Sequence, residues 1–184
     1  WAPAALAVTT SASGAEYTLT AQKDAAAQDL IYQHQSVNAA NAGAVAVEMG
    51  HAYSKLSFLA TAGNGYTGAA NLTQVQITGG IYATGTLNML DGKVDPVGTA
   101  TGTLTLAAGE KALVVPMAGQ PTIAVTCTID DKEFTATIKA DTMPSLLAGV
   151  EYEITLTVVG QEAVISSVKE VPWTTTKVDG GTIS

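Results

Sequence analysis

The chain has 184 residues, of which 47% are hydrophobic and 13% are charged, and its formal net charge at pH 7 is −8. Its eight basic residues are all lysines, so it lacks the strongly basic surface that a phosphate backbone requires, which argues against a nucleic-acid partner. Apolar stretches are interrupted well before the ~18 residues needed to span a bilayer, and the composition is too apolar for a disordered chain.

The first third of the sequence mixes strand patterns with irregular segments. Leu6–Thr10 is β-prone, and Glu16–Ala21 alternates apolar and polar residues as a half-buried strand does. Residues 23–28 are predicted to form one helical turn, and the segment containing Val45 and Val47 is predicted to be the last strand before a pivot at Gly50.

After Gly50 the pattern is almost continuously β. His51–Ala62 is predicted as the founding strand of a compact domain, with Leu56, Phe58 and Ala60 on one face. Gly79-Gly80 is expected to end or bulge the next strand, and Asp91-Gly92 is a hairpin turn signal.

The last third contains the clearest pairing signals. Leu113–Val115 is short, apolar and followed by proline, which is typical of an edge strand. Ile123–Ile129 and Phe134–Ile138 are predicted to form a hairpin, with Cys127 buried as a core thiol. Residues 144–147 are predicted to form a helical turn, and residues 151–159 are expected to pair with residues 164–168. About ten short strands with no βαβ rhythm indicate an all-β sandwich.

Few residues offer chemistry. His34 and His51 have no partner at metal-ligand spacing, so we interpret both as structural or solvated. Three acidic segments are explained by turn chemistry more simply than by calcium binding, namely Asp130-Asp131, Asp91-Gly92 and Asp179-Gly180-Gly181. With no nucleophile elbow and no phosphate loop, the sequence predicts neither an enzyme nor a cofactor or metal site.

Strand-like sequence continues almost to both ends of the chain, which makes strands available for pairing outside the molecule. Trp1 is not an initiator methionine, so we expect that the chain begins after processing or after a trimmed segment, with any signal peptide already removed.

Six segments then resemble those of one known family, the fimbrillins of the Bacteroidales, which are the subunits of type V pili. In chain order they are Gln28-Asp29-Leu30-Ile31-Tyr32, His51-Ala52-Tyr53-Ser54-Lys55-Leu56-Ser57-Phe58, Ile77-Thr78-Gly79-Gly80-Ile81-Tyr82-Ala83-Thr84-Gly85-Thr86-Leu87-Asn88, Val114-Val115-Pro116, Leu147-Ala148-Gly149-Val150-Glu151-Tyr152 and Val171-Pro172-Trp173. Each is weak alone, but together they cover residues 28–173.

The resemblance implies β-sandwich domains of transthyretin-like topology, with Greek-key-type antiparallel sheets, in a protein exported as a lipoprotein. It also implies that an arginine-specific protease removes an N-terminal strand, after which the groove receives a strand from a neighbouring subunit's C-terminal region. The absence of arginine agrees with a mature chain that such a protease leaves intact. We expect residues 1–49 to form a partial or reduced first domain and residues 50–184 a C-terminal β-sandwich domain that carries the terminal donor-strand candidate.

We therefore interpret the chain as a structural subunit of a cell-surface pilus, associated with the outer membrane, that polymerises by β-strand exchange. Expected partners are further copies of itself, accessory pilus subunits and host or bacterial surface receptors, with no nucleic acid and no membrane span. The predicted polymerisation interface consists of Leu6, Val8, Thr10, Trp173, Val178, Thr182 and Ile183. The alternative is a secreted β-sandwich adhesin or carbohydrate-binding module, which predicts a monomer with a concave aromatic face.

Overall fold

A computed structural model of the protein describes residues 8–11, 14–25, 28–33, 49–119, 122–143 and 145–173. Within these ranges the secondary structure is entirely β, and no helix long and apolar enough to cross a membrane occurs among them. The strands are β1 (Val8–Ser11), β2 (Gly14–Thr20), β3 (Gln22–Lys23), β4 (Ile31–Tyr32), β5 (Gly50–His51), β6 (Ser54–Ala62), β7 (Leu72–Ile81), β8 (Thr84–Asn88), β9 (Val94–Val97), β10 (Gly102–Ala107), β11 (Ala112–Val114), β12 (Ile123–Ile129), β13 (Lys132–Ile138), β14 (Val150–Val159) and β15 (Glu162–Pro172).

The strands form three main sheets and a short ribbon. Sheet 1 has the order β1-β2-β8-β9, sheet 2 the order β10-β7-β12-β13, and sheet 3 the order β15-β14-β6-β11-β3, while β4 and β5 pair with each other. All these pairings are antiparallel except that of β14 with β6, which is parallel. The all-β class is thus confirmed, and the transthyretin-like topology stays a prediction.

Two hydrophobic cores separate the sheets. Core 1 lies between sheets 2 and 3 and includes Ile77, Val125 and Ile154. Core 2 lies between sheet 1 and the other face of sheet 3, and it contains Leu19, Tyr53 and further buried residues from both sheets. The described part of the chain is therefore layered as sheet 2, core 1, sheet 3, core 2 and sheet 1.

The prediction that Leu113–Val115 is an edge strand is wrong. β11 lies between β6 and β3 inside sheet 3, and its residues alternate between the cores. Ala112 and Val114 face core 1, whereas Leu113 and Val115 face core 2, all at 0% exposure. A strand that is covered on both faces has a continuous apolar sequence. A short apolar edge strand before a proline has the same sequence pattern, so the sequence does not distinguish the two.

Residues 26, 27 and 144 of the two predicted helical turns lie outside the described residues, and Gln28 N donates to the carbonyl of Ala25 at 2.8 Å in a single turn. Gln22 and Lys23 form β3 and pair with β11, and Leu146 forms an isolated bridge with Met117. A single helical turn orders the backbone of several residues but gains only one hydrogen bond. Pairing with a nearby strand that has free backbone groups is therefore more favourable for a short segment.

The hairpin of β12 and β13 is confirmed, with Ile129 opposite Lys132 across Asp130 and Asp131. Cys127 on β12 is buried in core 1, and burial raises the pKa of its thiol to about 12. The predicted bulge near Gly79-Gly80 is also confirmed, because the β7 register shifts there against both neighbours. Gly80 has φ +86°, and a Cβ there would collide with the carbonyl oxygen of Thr122.

The boundary predicted between residues 49 and 50 stays a prediction. Strands on its two sides pair with each other, since β2 lies beside β8 over five residues in sheet 1. Gly85 of β8 lets sheet 1 approach β11 closely, because a Cβ at that position would lie 2.5 Å from a methyl carbon of Val115. The strand predicted at Val45 and Val47, and His34, lie outside the described residues.

The Asp130 carboxylate organises the loop between β6 and β7. It accepts hydrogen bonds from the Tyr66 hydroxyl at 2.7 Å and from the backbone N–H groups of Ala70 and Asn71 at 2.9 Å. These bonds, that of Tyr66 first, lower the pKa of the Asp130 carboxyl. The Asp130 side chain therefore has a structural role in this turn.

We expect Leu113→Ala to lower the free energy of unfolding by about 2–5 kcal/mol, because it leaves a cavity in core 2 on the strand that both cores share. Denaturant-induced unfolding measures this. The control is Leu90→Ala, since Leu90 is 59% exposed and its truncation should change stability by less than ~0.5 kcal/mol. Equal effects of the two substitutions would contradict the assignment of β11 to the interior.

We expect Tyr66→Phe to raise the Asp130 pKa toward its ordinary value of 3.8, since it removes the hydrogen bond that contributes most to lowering it. A depressed folded-state pKa stabilises the fold above the unfolded value and loses that effect as the pH falls through the folded value. The difference in the free energy of unfolding between the unmodified protein and Tyr66→Phe should therefore become smaller as the pH falls through the folded-state pKa of Asp130. A carboxyl NMR titration measures the pKa directly, and identical Asp130 pKa values in both proteins would refute the assignment.

Candidate functional site

The predicted interface residues fall partly inside the described structure. Val8 and Thr10 lie in β1, and Trp173 directly follows β15. Four of them lie outside the described residues, namely Leu6, Val178, Thr182 and Ile183. Within the described ranges the predicted interface thus consists of one strand and one aromatic side chain.

β1 is an edge strand whose only partner among the described strands is β2. Ala15 of β2 lies opposite Thr10, and its carbonyl accepts a hydrogen bond from Met89 N at 3.0 Å on the side away from β1. Backbone groups alternate in direction along an antiparallel strand. The N–H and C=O of Thr10 therefore point away from β2, toward the open edge.

Most of the other described edge strands carry groups that deter further pairing. Charged side chains and proline on an edge strand oppose the addition of another chain. The residues concerned are Lys23 on β3, Asp95 and Pro96 on β9, Lys132 and Glu133 on β13, and Glu162, Lys169 and Glu170 on β15. The sequence of β1 is Val-Thr-Thr-Ser, with neither a charge nor a proline.

β10 also lacks charge, but a side chain closes one end of its edge. The Glu110 carboxylate accepts a hydrogen bond from Ala107 N at 2.7 Å, and Glu110 N donates to the carbonyl of Ala107 at 3.1 Å. Lys23 Nζ holds the same carboxylate at 2.7 Å. In contrast to β3, β9, β13 and β15, the sequence of β1 leaves its outward backbone groups unguarded by charge or proline.

Trp173 lies at the end of β15 and is bound to its own chain. Its ring stacks on the imidazole of His51, with the ring centroids 3.7 Å apart and the planes 10° from parallel. Lys55 Nζ lies 3.6 Å from a Trp173 ring centroid, in cation–π geometry. We call these three side chains, together with Asp24 and Asp29, the tryptophan clamp.

Two carboxylates position Lys55 and His51 in the clamp. Lys55 Nζ lies 2.8 Å from Asp24 Oδ2, and His51 Nδ1 lies 2.7 Å from Asp29 Oδ2. Burial raises the pKa of the Asp29 carboxyl, an effect that the neighbouring His51 and Lys55 partly offset. The clamp brings together segments beside β3, β4, β5 and β6 and the residue after β15, which lie far apart in sequence.

The contact between His51 and Asp29 resembles part of a catalytic dyad, but its surroundings are structural. The Nε2 atom of His51, which would act on a nucleophile or substrate, is buried without a hydrogen-bond partner in the described structure. One ring face is occupied by Trp173. These contacts agree with the interpretation of His51 as structural.

Sequence reasoning missed the partners of Trp173. The available signal was Lys55, a charged residue next to Leu56 near the start of a largely apolar strand. A lysine that is only 8% exposed needs an anionic or aromatic partner. Nothing in the local pattern, however, identifies Asp24 or Trp173 as that partner.

A cavity of about 810 Å³ lies beside β9. Its lining includes Tyr82, Lys93, Asp95 and Met117, with about equal polar and apolar character. Lys93 Nζ and Asp95 Oδ1 form an exposed ion pair at 2.7 Å. This volume and mixture suit a small polar ligand.

The other acidic segments act in turns where they are described. Asp91 Oδ1 accepts a hydrogen bond from Lys93 N at 2.9 Å within the turn that joins β8 to β9. No group of three His, Cys, Asp or Glu side chains arranged to hold a metal ion occurs in the described ranges. Asp179-Gly180-Gly181 lies outside them.

A family profile described as fimbrillin-like matches residues 2–173. A crystal structure from Bacteroides uniformis, described as a proposed cell adhesion protein, matches with a TM-score of 0.55 and 22% identity over 68% of this chain and 52% of the other. One from Bacteroides ovatus with the same description matches with a TM-score of 0.50 and 17% identity over 87% and 69%.

The chain spans about half the length of the Bacteroides uniformis protein. At these identities the likeness to solved structures shows the fold alone. No curated protein matches the sequence.

Proposed function

We propose that this chain, which belongs to the fimbrillin-like family, is a structural subunit of a cell-surface fibre and joins further copies of itself by pairing edge strands. The family is one of structural and adhesion proteins rather than enzymes. A cell-surface fimbrial location follows from the family, and attachment to the outer membrane is part of the proposal.

The observation that carries the proposal is the unguarded edge of β1. The outward N–H and C=O groups of Thr10 have no partner strand among the described residues. A strand laid along this edge would satisfy those groups and extend sheet 1 beyond β1. Core 2 lies directly under sheet 1, so alternate side chains of an added strand could also reach apolar surface.

The donor would be the segment after Trp173 of a second copy, with Val178, Thr182 and Ile183 as its candidate anchors and the region around Leu6, Val8 and Thr10 as its acceptor. Because donor and acceptor surfaces differ, the contact is heterologous and repeats without closing. Such a contact builds an open fibre. Accessory subunits and surface receptors are further proposed partners.

We expect the mature protein to form fibres that give a heat-sensitive ladder on gels, and deletion of residues 178–184 to abolish both. Thr10→Pro should do the same while leaving the monomer folded, because it removes an N–H that points away from β2. Thr10→Val is the matched control, since it keeps the N–H and should assemble.

Electron microscopy, with gel electrophoresis of heated and unheated samples, measures the outcome. A monodisperse monomer from correctly matured protein would overturn the proposal. Normal fibres from Thr10→Pro would show that β1 is not the acceptor edge.

A second candidate function is glycan binding, which the cavity beside β9 favours. Tyr82 offers an aromatic surface there, and Lys93 and Asp95 offer charged hydrogen-bonding groups. We expect the combined Lys93→Met and Asp95→Asn variant to lose binding on a glycan array, with Tyr66→Ala as a control outside this cavity. Deletion of residues 178–184 should leave such binding unchanged. An array on which the unmodified protein binds nothing would eliminate this candidate.

A further inference from the structure

The C-terminal half of β15 is held by its backbone ladder with β14 and by the Ser166 hydroxyl, which donates to the carbonyl of Thr155 at 3.2 Å and accepts from the Thr157 hydroxyl at 2.7 Å. No side chain from Ser166 to Pro172 is fully buried, and Val168 touches core 1 only with a half-buried side chain. In the first half, Ala163 is buried and Ile165 packs against core 1. β14 is the only described strand that pairs with β15.

A register shift separates the two halves. The pairing of β14 with β15 shifts between Thr155, which lies opposite Ser167, and Leu156, which lies opposite Ile165. Such a bulge leaves an unpaired residue and locally interrupts the ladder. Fraying that begins at the C-terminal end of β15 therefore has a stopping point at residue 166.

Trp173 is placed where it can prevent that fraying. It directly follows Pro172, the last paired residue of β15, and its ring is held by His51 and Lys55 from the other side of the clamp. Trp173 also packs against core 2, whereas β15 packs against core 1. The clamp thus ties the weak end of an edge strand to a second core.

We infer that the tryptophan clamp is a releasable pin for residues 166–172. While Trp173 is stacked, these residues stay paired with β14. When it leaves, they peel back to the bulge, expose the edge of β14 and free the chain that follows for a second copy. The role toward a second copy rests on the proposed function, whereas the pin is a property of the single chain.

The clamp does not bury Trp173 fully. Trp173 is half-buried, and besides packing against core 2 its ring contacts the side chains of His51 and Lys55. Each of these two side chains is oriented by a carboxylate, Lys55 by Asp24 and His51 by Asp29. Loss of one carboxylate should loosen the ring without changing Trp173 itself.

Amide hydrogen exchange on the isolated chain tests the pin. We expect Trp173→Ala to speed exchange in residues 166–172 by about tenfold, as local opening becomes easier, and to leave residues 162–165 and the pairing of β14 with β6 unchanged. Trp173→Phe keeps an aromatic ring for Lys55 and should restore most of the protection, whereas Asp24→Asn should give an intermediate rate.

Val164→Ala is the matched control, because Val164 is an exposed apolar residue in the first half of β15 and its truncation should leave residues 166–172 protected. Unchanged exchange in Trp173→Ala would overturn the inference. An equal rise across β14 and all of β15 would also overturn it, since that pattern reports global destabilisation.

Exchange and assembly together separate this inference from the proposed function. If Trp173→Ala speeds exchange only in residues 166–172 but the mature chain never forms fibres, the pin is supported and the proposed fibre is overturned. If the mature chain forms fibres but Trp173→Ala leaves exchange in residues 166–172 unchanged, the fibre is supported and the pin is overturned.

Discussion

The double burial of β11 is the constraint on which the rest of the architecture depends. A strand with Ala112 and Val114 in one core and Leu113 in the other must be covered on both faces, so sheet 3 is the middle layer of the described fold. Sheet 2 covers one face, and sheet 1 with the ribbon of β4 and β5 covers the other. The close approach of Gly85 to Val115 shows how tightly the second covering is fitted. A molecule built this way has interior strands that cannot pair outside it, and its capacity for association lies in its edges.

The edges differ in how they are guarded. Proline and charge protect β9, charges protect β13 and β15, and the Glu110 carboxylate accepts a hydrogen bond from one backbone N–H at the end of β10. The sequence of β1 contains neither a charge nor a proline. In a soluble monomer an unguarded edge is a hazard, because it invites pairing with any free strand. In a fibre subunit the same kind of edge serves for assembly. The proposal that β1 has this role is consistent with the fimbrillin-like family to which the chain belongs.

The first and the last described strands are held in different ways. β1 is joined to sheet 1 by an ordinary antiparallel ladder. In the proposed pin, by contrast, residues 166–172 of β15 depend on Trp173 and on the other side chains of the tryptophan clamp. The clamp combines a ring stack, a cation–π contact and two short carboxylate contacts among largely buried side chains. That arrangement separates the stability of the molecule, which resides in the two cores, from the stability of its C-terminal end. An end that opens without disturbing the cores is suited to exchange with a neighbouring copy.

The sequence by itself determined the all-β class, the hairpin of β12 and β13, the bulge at Gly79-Gly80 and the buried thiol of Cys127, because each depends on alternation or turn chemistry within a few residues. It also carried the family resemblance. Only the tertiary structure decided that β11 is interior, that residues 22 and 23 form a strand, that β14 lies parallel to β6 and that Trp173 binds Lys55 and His51. These features depend on which distant segment lies alongside. Local periodicity records that a residue is buried or paired, but it does not record the partner.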